Sequence, residues 1–93
     1  MCGLTGVLNL DRAPVPALLV ERMAKAISHR GPDGEGVWTG EGIGLGHRRL
    51  AIIAPGPEGR QPMMSADGRY VLVYNGELYN FRELRTELES RGR

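Results

Sequence analysis

The chain opens with Met1-Cys2-Gly3-Leu4-Thr5-Gly6-Val7, and this stretch contains its single cysteine. Removal of the initiator methionine would leave Cys2 as the first residue, so that one residue carries both a nucleophilic thiol and a free α-amine. An α-amine with a reference pKa of about 8 can act as a base near neutral pH. The plainer interpretation is that Cys2 is a small buried apolar residue opening a strand. Taken alone, the stretch favours the plainer interpretation, so the other motifs have to decide.

Composition limits the classes of function. The 93 residues are enough for one domain with a modest core, since a chain of this length buries about 60–65% of its unfolded surface. A net charge of +1 indicates no general attraction to nucleic acid or to anionic membranes. Because there is one cysteine, no internal disulfide can form, as is typical of a reducing compartment. The chain also lacks an apolar run of the roughly 18 residues that span a membrane, and it has no signal-peptide pattern. We therefore expect a soluble cytoplasmic protein without nucleic-acid or membrane partners.

Apolar, β-branched and glycine-rich segments predict several strands. The expected strands are Gly3–Leu10, Val37–Thr39, Ile43–His47, Leu50–Ile53 and Tyr70–Tyr74. The glycine alternation over residues 40–46 indicates a hairpin and its strands, Asp67-Gly68 indicates a turn, and residues 54–60 form a predicted loop.

Two helices are predicted. The first opens with Pro14 and Pro16, because proline is tolerated in a first helical turn, and runs to about His29. Its apolar stripe is predicted to consist of Leu19, Met23, Ala26 and Ile27. The second helix follows Asn80, which forms a capping-box pattern with Glu83. Its buried stripe is predicted to be Phe81, Leu84 and Leu88, its exposed ion pairs Arg85–Glu89 and Glu87–Arg91, and its end Gly92.

Three polar clusters stand at the ends of these elements: His29-Arg30-Gly31-Pro32-Asp33, His47-Arg48-Arg49-Leu50 and Asn75-Gly76-Glu77. Each has a purely structural interpretation: a helix end with a favourable cation, an exposed strand end, and a type I′ hairpin turn. The hairpin is weakly supported, because few residues separate Gly76 from the second helix. An Asn amide and a glycine N–H at a strand end are suitable donors to an oxyanion, worth about 3–4 kcal/mol per donor. The wide spacing of two histidines and one cysteine predicts no metal site.

Taken together, these motifs resemble a known family. Met-Cys-Gly, residues 29–34, Gly46-His47-x-Arg49-Leu50, Gln61-Pro62-Met63 and residues 74–80 occur in the order found in class II glutamine amidotransferases. Their Arg-Gly-Pro-Asp and Tyr-Asn-Gly-Glu-Leu-Tyr-Asn forms are similar to the asparagine synthetase branch. The resemblance implies an α+β fold of the N-terminal nucleophile hydrolase type, an αββα sandwich of antiparallel sheets. Residues 1–93 would be the amino-terminal portion of this glutaminase domain.

The resemblance also implies the catalytic groups. Cys2, after removal of Met1, would attack the side-chain amide of glutamine and form a glutamyl thioester, with its own α-amine as general base. Asn75 and Gly76 match the oxyanion hole of the family.

The glutamine itself would be bound by neighbouring positions. Arg49 matches the arginine that binds the α-carboxylate, a task suited to a bidentate guanidinium. Backbone groups of Leu50, Ala51, Ile52 and Ile53 would line the pocket, and Glu77 would help to hold the substrate amine. The family has a further Ser-Asp-[Thr/Cys]-Glu segment, whose aspartate binds that amine, and the segment does not occur in the 93 residues. Ala54-Pro55 stands where an Asp followed by an apolar residue is common, which leaves the conformation of the 54–60 loop open.

The resemblance implies partners as well. Ammonia would pass to a synthetase domain or subunit, in which ATP and Mg²⁺ support the conversion of aspartate to asparagine, AMP and pyrophosphate. No cofactor is expected in residues 1–93, and a homodimer is one assembly to test. Two alternatives stay open: a non-catalytic binding or regulatory module with this fold, and an amidotransferase that supplies another acceptor.

Overall fold

The computed structural model describes residues 2–50 and 59–93. The elements in chain order are β1 (Gly3–Leu8), α1 (Ala17–Ala26), a 3₁₀ turn (Ser28–Arg30), β2 (Gly34–Gly40), β3 (Ile43–Arg49), β4 (Met63–Met64), β5 (Val71–Leu72) and α2 (Phe81–Ser90). Within the described residues, β1, β3 and β2 form one sheet in that order, and β4 pairs with β5. Neighbouring strands are antiparallel in both sheets. This arrangement confirms the predicted α+β class with antiparallel sheets.

Strand β3 is the centre of the larger sheet. Its ladder with β1 runs from the pair Gly3–Arg48 to the pair Leu8–Ile43. On its other side, β2 and β3 form a hairpin whose two-residue turn ends at Gly42, with φ at +72°. This left-handed conformation is readily adopted by glycine. The hairpin predicted from the glycine alternation is therefore confirmed.

Helix α1 packs on the face of the sheet where β3 has glycines. A Cβ atom added at Gly44 would lie 2.6 Å from Val20 Cγ2, and one added at Gly46 would lie 3.5 Å from Ala24 Cβ. The helix approaches the strand so closely that only small side chains fit between them. Val20 and Ala24 are fully buried as a result, and Val15, at the entry to the helix, is 6% exposed.

The predicted apolar stripe of this helix was wrong in its position. Leu19 is 43% exposed and Ala26 is exposed, whereas Met23 and Ile27 are half-buried. Val20 and Ala24 are four positions apart and therefore share a helix face. This face has short side chains and can approach the glycines of β3 closely, whereas the predicted face has longer side chains. The helix also ends before the predicted His29, which lies in the 3₁₀ turn.

The opposite face of the sheet carries larger apolar side chains. Leu4 and Leu8 on β1 are 46% and 66% exposed, and Trp38 and Leu45 on the neighbouring strands are half-buried. Residues directly opposite each other in an antiparallel ladder share a face, so these four side chains form one apolar surface. His47 lies on the same face, because it is opposite Leu4.

The second half of the chain has less regular structure than predicted. The strand expected over Tyr70–Tyr74 is limited to Val71–Leu72, and the strand expected from Leu50 is absent at Leu50 itself, which follows the end of β3. Positions 51–53 of that strand and 54–58 of the predicted loop lie outside the described residues. The Asp67-Gly68 turn is present, with φ of Gly68 at +73°.

Helix α2 begins without the predicted capping box. The Asn80 backbone, with φ −97° and ψ 28°, lies outside the extended region that lets a cap side chain reach the first turn, and its side chain makes no cap hydrogen bond. The predicted ion pairs are confirmed, with N–O distances of 3.4 Å for Arg85–Glu89 and 2.9 Å for Glu87–Arg91. Gly92 follows the helix with φ at +77°, as predicted.

The predicted burial of the α2 stripe was wrong within the described residues. Phe81 is 43% exposed, Leu88 is 52% exposed and Leu84 is half-buried. Neither this helix nor α1 is long and apolar enough to cross a membrane, and the same holds for every helix in the described ranges.

The close contact between α1 and β3 predicts that Gly44→Ala destabilises the fold. The added methyl group would meet two stiff valine side chains, Val20 at 2.6 Å and Val15 at 2.8 Å, which should lower the free energy of unfolding by about 1–3 kcal/mol. Urea unfolding followed by Trp38 fluorescence would measure the change. Gly6→Ala is the matched control, because its added methyl group would lie no closer than 3.4 Å to any neighbour, with Leu45 Cδ2 at 3.4 Å and the Gly44 carbonyl oxygen at 3.7 Å. A Gly44→Ala midpoint equal to that of the control would contradict the close packing.

Candidate active site

Cys2 is held at the end of β3. Its Sγ accepts a hydrogen bond from the Leu50 N–H at 3.3 Å, and the thiol lies 3.7 Å from the Leu50 carbonyl oxygen, to which it can donate. The β1–β3 ladder accounts for this contact, because Gly3 pairs with Arg48 and the preceding Cys2 therefore lies beside the residues that follow Arg48. The thiol is half-buried.

The segment after α1 supports the main chain of Cys2. Arg30 donates from Nε to the Cys2 carbonyl oxygen at 3.2 Å. The next residue, Gly31, lies so close to the backbone of Arg48 that an added Cβ would overlap it. Arg48 in turn donates from Nε to the Gly31 carbonyl at 3.0 Å and forms an ion pair with Glu35 at 3.3 Å. Arg30 and Gly31, from the cluster predicted over residues 29–33, thus contact the Cys2 main chain and β3.

Arg49 is the last residue of β3 and is half-buried. Its backbone carbonyl accepts a hydrogen bond from the Asp33 N–H at 2.9 Å, and it pairs with Gly34 across the ladder. Side chains alternate between the faces of a strand, so Arg49 shares its face with His47 and not with Arg48. Arg49 and Cys2 both line one cavity.

Asn75 and Gly76 follow β5 in an exposed segment that does not return as a strand. This excludes the hairpin interpretation of Asn75-Gly76. The residue before them, Tyr74, donates its N–H to Gln61 Oε1 at 2.6 Å, and its carbonyl oxygen lies 3.2 Å from His47 Nε2. Side chains therefore bind the main-chain N–H and carbonyl groups of Tyr74 that a partner strand would otherwise bind. This explains why the observed strand β5 is shorter than the predicted one.

A cavity of about 390 Å³ brings these groups together. Its lining residues are Cys2, His47, Arg49, Leu50, Gly59, Gln61, Tyr74, Asn75, Gly76, Glu77 and Tyr79. The volume lies within the usual range for small-molecule sites. A thiol, a guanidinium and an amide facing one cavity combine a nucleophile, an anion-binding group and neutral hydrogen-bond donors. Of the predicted site residues, Ala51, Ile52 and Ile53 lie outside the described residues; the others all line this cavity.

His47 is a cavity residue to which the sequence assigned no role. Its side chain is 1% exposed. Because the Tyr74 carbonyl can only accept, Nε2 carries the hydrogen and Nδ1 is an acceptor, and buried Nδ1 has no hydrogen-bond partner in the described part of the chain. Burial lowers the pKa of His47 below 6.5, the hydrogen bond to the Tyr74 carbonyl opposes this, and the charge of Arg49 lowers the pKa further. The Gly46-His47-x-Arg49 spacing was the available signal, since it places both side chains on one face.

A family model for the glutamine amidotransferase domain matches residues 1–93. The chain belongs to this family. The resemblance found in the motifs is thereby confirmed over residues 1–93.

Curated relatives of this amidotransferase chain come from bacteria, archaea and plants. It is 43% identical over 95 residues to "Asparagine synthetase [glutamine-hydrolyzing] 1" of Bacillus subtilis, an alignment that covers 99% of this chain and 15% of that protein. It is 37% identical over 103 residues to "Putative asparagine synthetase [glutamine-hydrolyzing] 2" of Methanocaldococcus jannaschii. That alignment covers 91% of this chain and 20% of the relative. For "Asparagine synthetase [glutamine-hydrolyzing] 1" of Arabidopsis thaliana the identity is 37% over 91 residues, with 97% and 15% covered. The chain thus spans a fifth or less of these relatives.

No group of three or more His, Cys, Asp or Glu side chains within residues 2–50 and 59–93 is placed to hold a metal ion. The polar side chains of the cavity-lining residues include a thiol, an imidazole, a guanidinium, a carboxylate and amides.

The lowered pKa of His47 predicts a pH-dependent stability. An unfolded histidine binds a proton below about pH 6.5, whereas the folded state resists protonation until a lower pH, so stability falls as the pH drops from 6.5 towards the folded pKa. In His47→Gln this contribution is absent, and the free energy of unfolding should vary less between pH 5 and pH 7. Urea titrations across that range would measure both slopes. Equal slopes would show that His47 titrates alike in the folded and unfolded chain.

Proposed function

We propose that this domain hydrolyses the side-chain amide of glutamine, with Cys2 as the nucleophile. The observation that carries the proposal is the convergence on one cavity of Cys2, Arg49 and the Asn75-Gly76 pair, which come from three separate parts of the chain. The family and the printed names of its relatives support the same reaction.

Amide hydrolysis requires a nucleophile, a base and stabilisation of an oxyanion. With Met1 removed, the α-amine of Cys2 accepts the thiol proton, directly or through a water, and the sulfur bonds to the amide carbon of the substrate. The carbonyl oxygen becomes an oxyanion, for which the Asn75 side-chain amide and the Gly76 N–H are the proposed donors. Collapse of this intermediate breaks the C–N bond, and the leaving nitrogen takes the proton and departs as ammonia. Water then attacks the thioester and releases glutamate.

Substrate binding is proposed for the charged groups of the cavity. The Arg49 guanidinium can form two parallel hydrogen bonds with the α-carboxylate of glutamine. Glu77 supplies an opposite charge for the α-amine, and Leu50 contributes backbone groups beside the cysteine. The roles proposed for Ala51, Ile52 and Ile53 rest on the family resemblance alone.

The wider activity follows from the relatives. Because these are named glutamine-hydrolysing asparagine synthetases, we propose that the ammonia is passed to a synthetase domain or subunit for the ATP-dependent conversion of aspartate to asparagine. ATP and Mg²⁺ would bind in that part of the protein, and residues 1–93 would form the amino-terminal portion of the glutaminase domain. A single cysteine that needs to remain a thiol suits a cytoplasmic location. Homodimer formation belongs to the same proposal.

Cys2→Ala is expected to abolish glutamate release from glutamine in the complete gene product, by at least about a thousandfold, because the attacking atom is removed. Asparagine formation from added ammonia should remain, since that step does not need the thiol. Intact-mass measurement of the wild-type protein should show that Met1 is removed. Unchanged glutamate release in the variant would refute the assignment. A wild type that retains Met1 and releases no glutamate would identify a non-catalytic module, and glutamate release without asparagine synthesis would indicate another acceptor.

Arg49→Lys is expected to raise KM for glutamine about tenfold or more, with a smaller effect on kcat. Loss of a charged bidentate interaction costs about 1.5–3 kcal/mol, and 1.4 kcal/mol corresponds to a factor of ten. Steady-state glutamate release at varied glutamine concentration would measure both constants. Arg69→Lys is the matched control, because Arg69 is exposed and contacts the Tyr70 ring outside the cavity. An unchanged KM in Arg49→Lys would exclude Arg49 from carboxylate binding.

A further inference from the structure

The main chain of Tyr74 is held on both sides by side chains. Its N–H donates to Gln61 Oε1 at 2.6 Å, and its carbonyl accepts from His47 Nε2 at 3.2 Å. Tyr74 lies beyond the last ladder pair of β5, which is Met63–Leu72. These two hydrogen bonds therefore fix the peptide groups directly before Asn75, where the strand no longer does so.

Both residues are themselves held by the larger sheet. His47 is on the central strand, opposite Leu4 on one side and Gly36 on the other, and is 1% exposed. Gln61 lies directly on β2, since a Cβ atom added at Gly36 would overlap the Gln61 carbonyl. The sheet whose edge carries Cys2 thus also sets the position of Tyr74.

We propose that His47 and Gln61 are positioning residues, which hold the Tyr74 main chain so that the donors of Asn75 and Gly76 point at the carbonyl attacked by Cys2. This inference rests on the proposed glutaminase function and deepens it. The role proposed for both residues involves no proton transfer: the His47 Nε2–H is engaged by Tyr74, and the Gln61 amide does not titrate. Their effect is on the geometry of the oxyanion donors, and a displacement of about 1 Å in such a site can cost about a hundredfold in rate.

Two pairs of variants separate the hydrogen bonds from the side-chain volume. His47→Gln keeps an N–H donor at a similar reach, whereas His47→Leu removes it. Gln61→Glu keeps an acceptor oxygen, whereas Gln61→Met removes it. Gln61 is only half-buried, so its variants provide a test that does not depend on tolerance of a substitution at the buried histidine.

The measurements are steady-state glutamate release by the complete gene product and the rate at which iodoacetamide alkylates Cys2. Alkylation displaces iodide from a saturated carbon and forms no oxyanion, so it reports the thiol without the donors. His47→Leu and Gln61→Met should lower kcat and kcat/KM together by about tenfold to a hundredfold, with KM within about threefold of wild type, as expected when a transition-state interaction is lost. His47→Gln and Gln61→Glu should retain most of kcat. Alkylation rates should match wild type in all four variants.

Three results would overturn the inference. The first is a kcat within about threefold of wild type in both His47→Leu and Gln61→Met. The second is a parallel loss of kcat, alkylation rate and unfolding midpoint, which would show that the residues only support the fold. The third is absence of glutamate release by the wild-type protein, which would refute the proposed function itself before any variant is compared.

Discussion

Cys2 and Leu50 are 48 positions apart in the chain and meet because β1 pairs antiparallel with β3. This pairing places Cys2 beside Leu50 and Arg49 in the cavity wall. The ladder begins at Gly3, so the cysteine is placed beside the end of β3 without a connecting loop. The Leu50 N–H then donates a hydrogen bond to the sulfur, and Arg30 donates one to the Cys2 carbonyl oxygen. A residue at the very start of a chain would ordinarily be poorly ordered, and here these contacts hold Cys2 in place.

The two faces of β3 have different tasks, because successive side chains of a strand point to opposite sides. On one face, Gly44 and Gly46 admit α1 to close range and produce the buried contact with Val20. On the other face, His47 and Arg49 face the cavity. One strand therefore carries both the close packing against α1 and the polar groups of the candidate site. Each face corresponds to alternate positions of one short sequence.

The elements that sequence reasoning predicted well depend on local signals, such as the β2–β3 hairpin and the ion pairs of α2. The predictions were wrong where contacts between distant parts of the chain determine which residues are buried. Periodicity allowed two adjacent stripes on α1, and only the glycines across the interface select Val20 over Leu19. The capping box of α2 was wrong because the pattern does not specify the backbone angles of Asn80. For the site, the motifs predicted roles for the cavity-lining cysteine, arginine, asparagine and glycine. They included His47 but gave it no role, because its interaction with Tyr74 spans 27 positions of the chain.

The start of the ladder at Gly3 has a consequence for how this family can vary in length. One residue inserted between the cysteine and the strand would move the thiol away from Leu50, and one inserted within β1 would exchange its two faces. The exposed connection from Leu10 to Pro14 has no such restriction. Over evolutionary time, insertions and deletions should therefore collect in surface connections of this kind, while the distance from the cysteine to the first ladder pair stays constant.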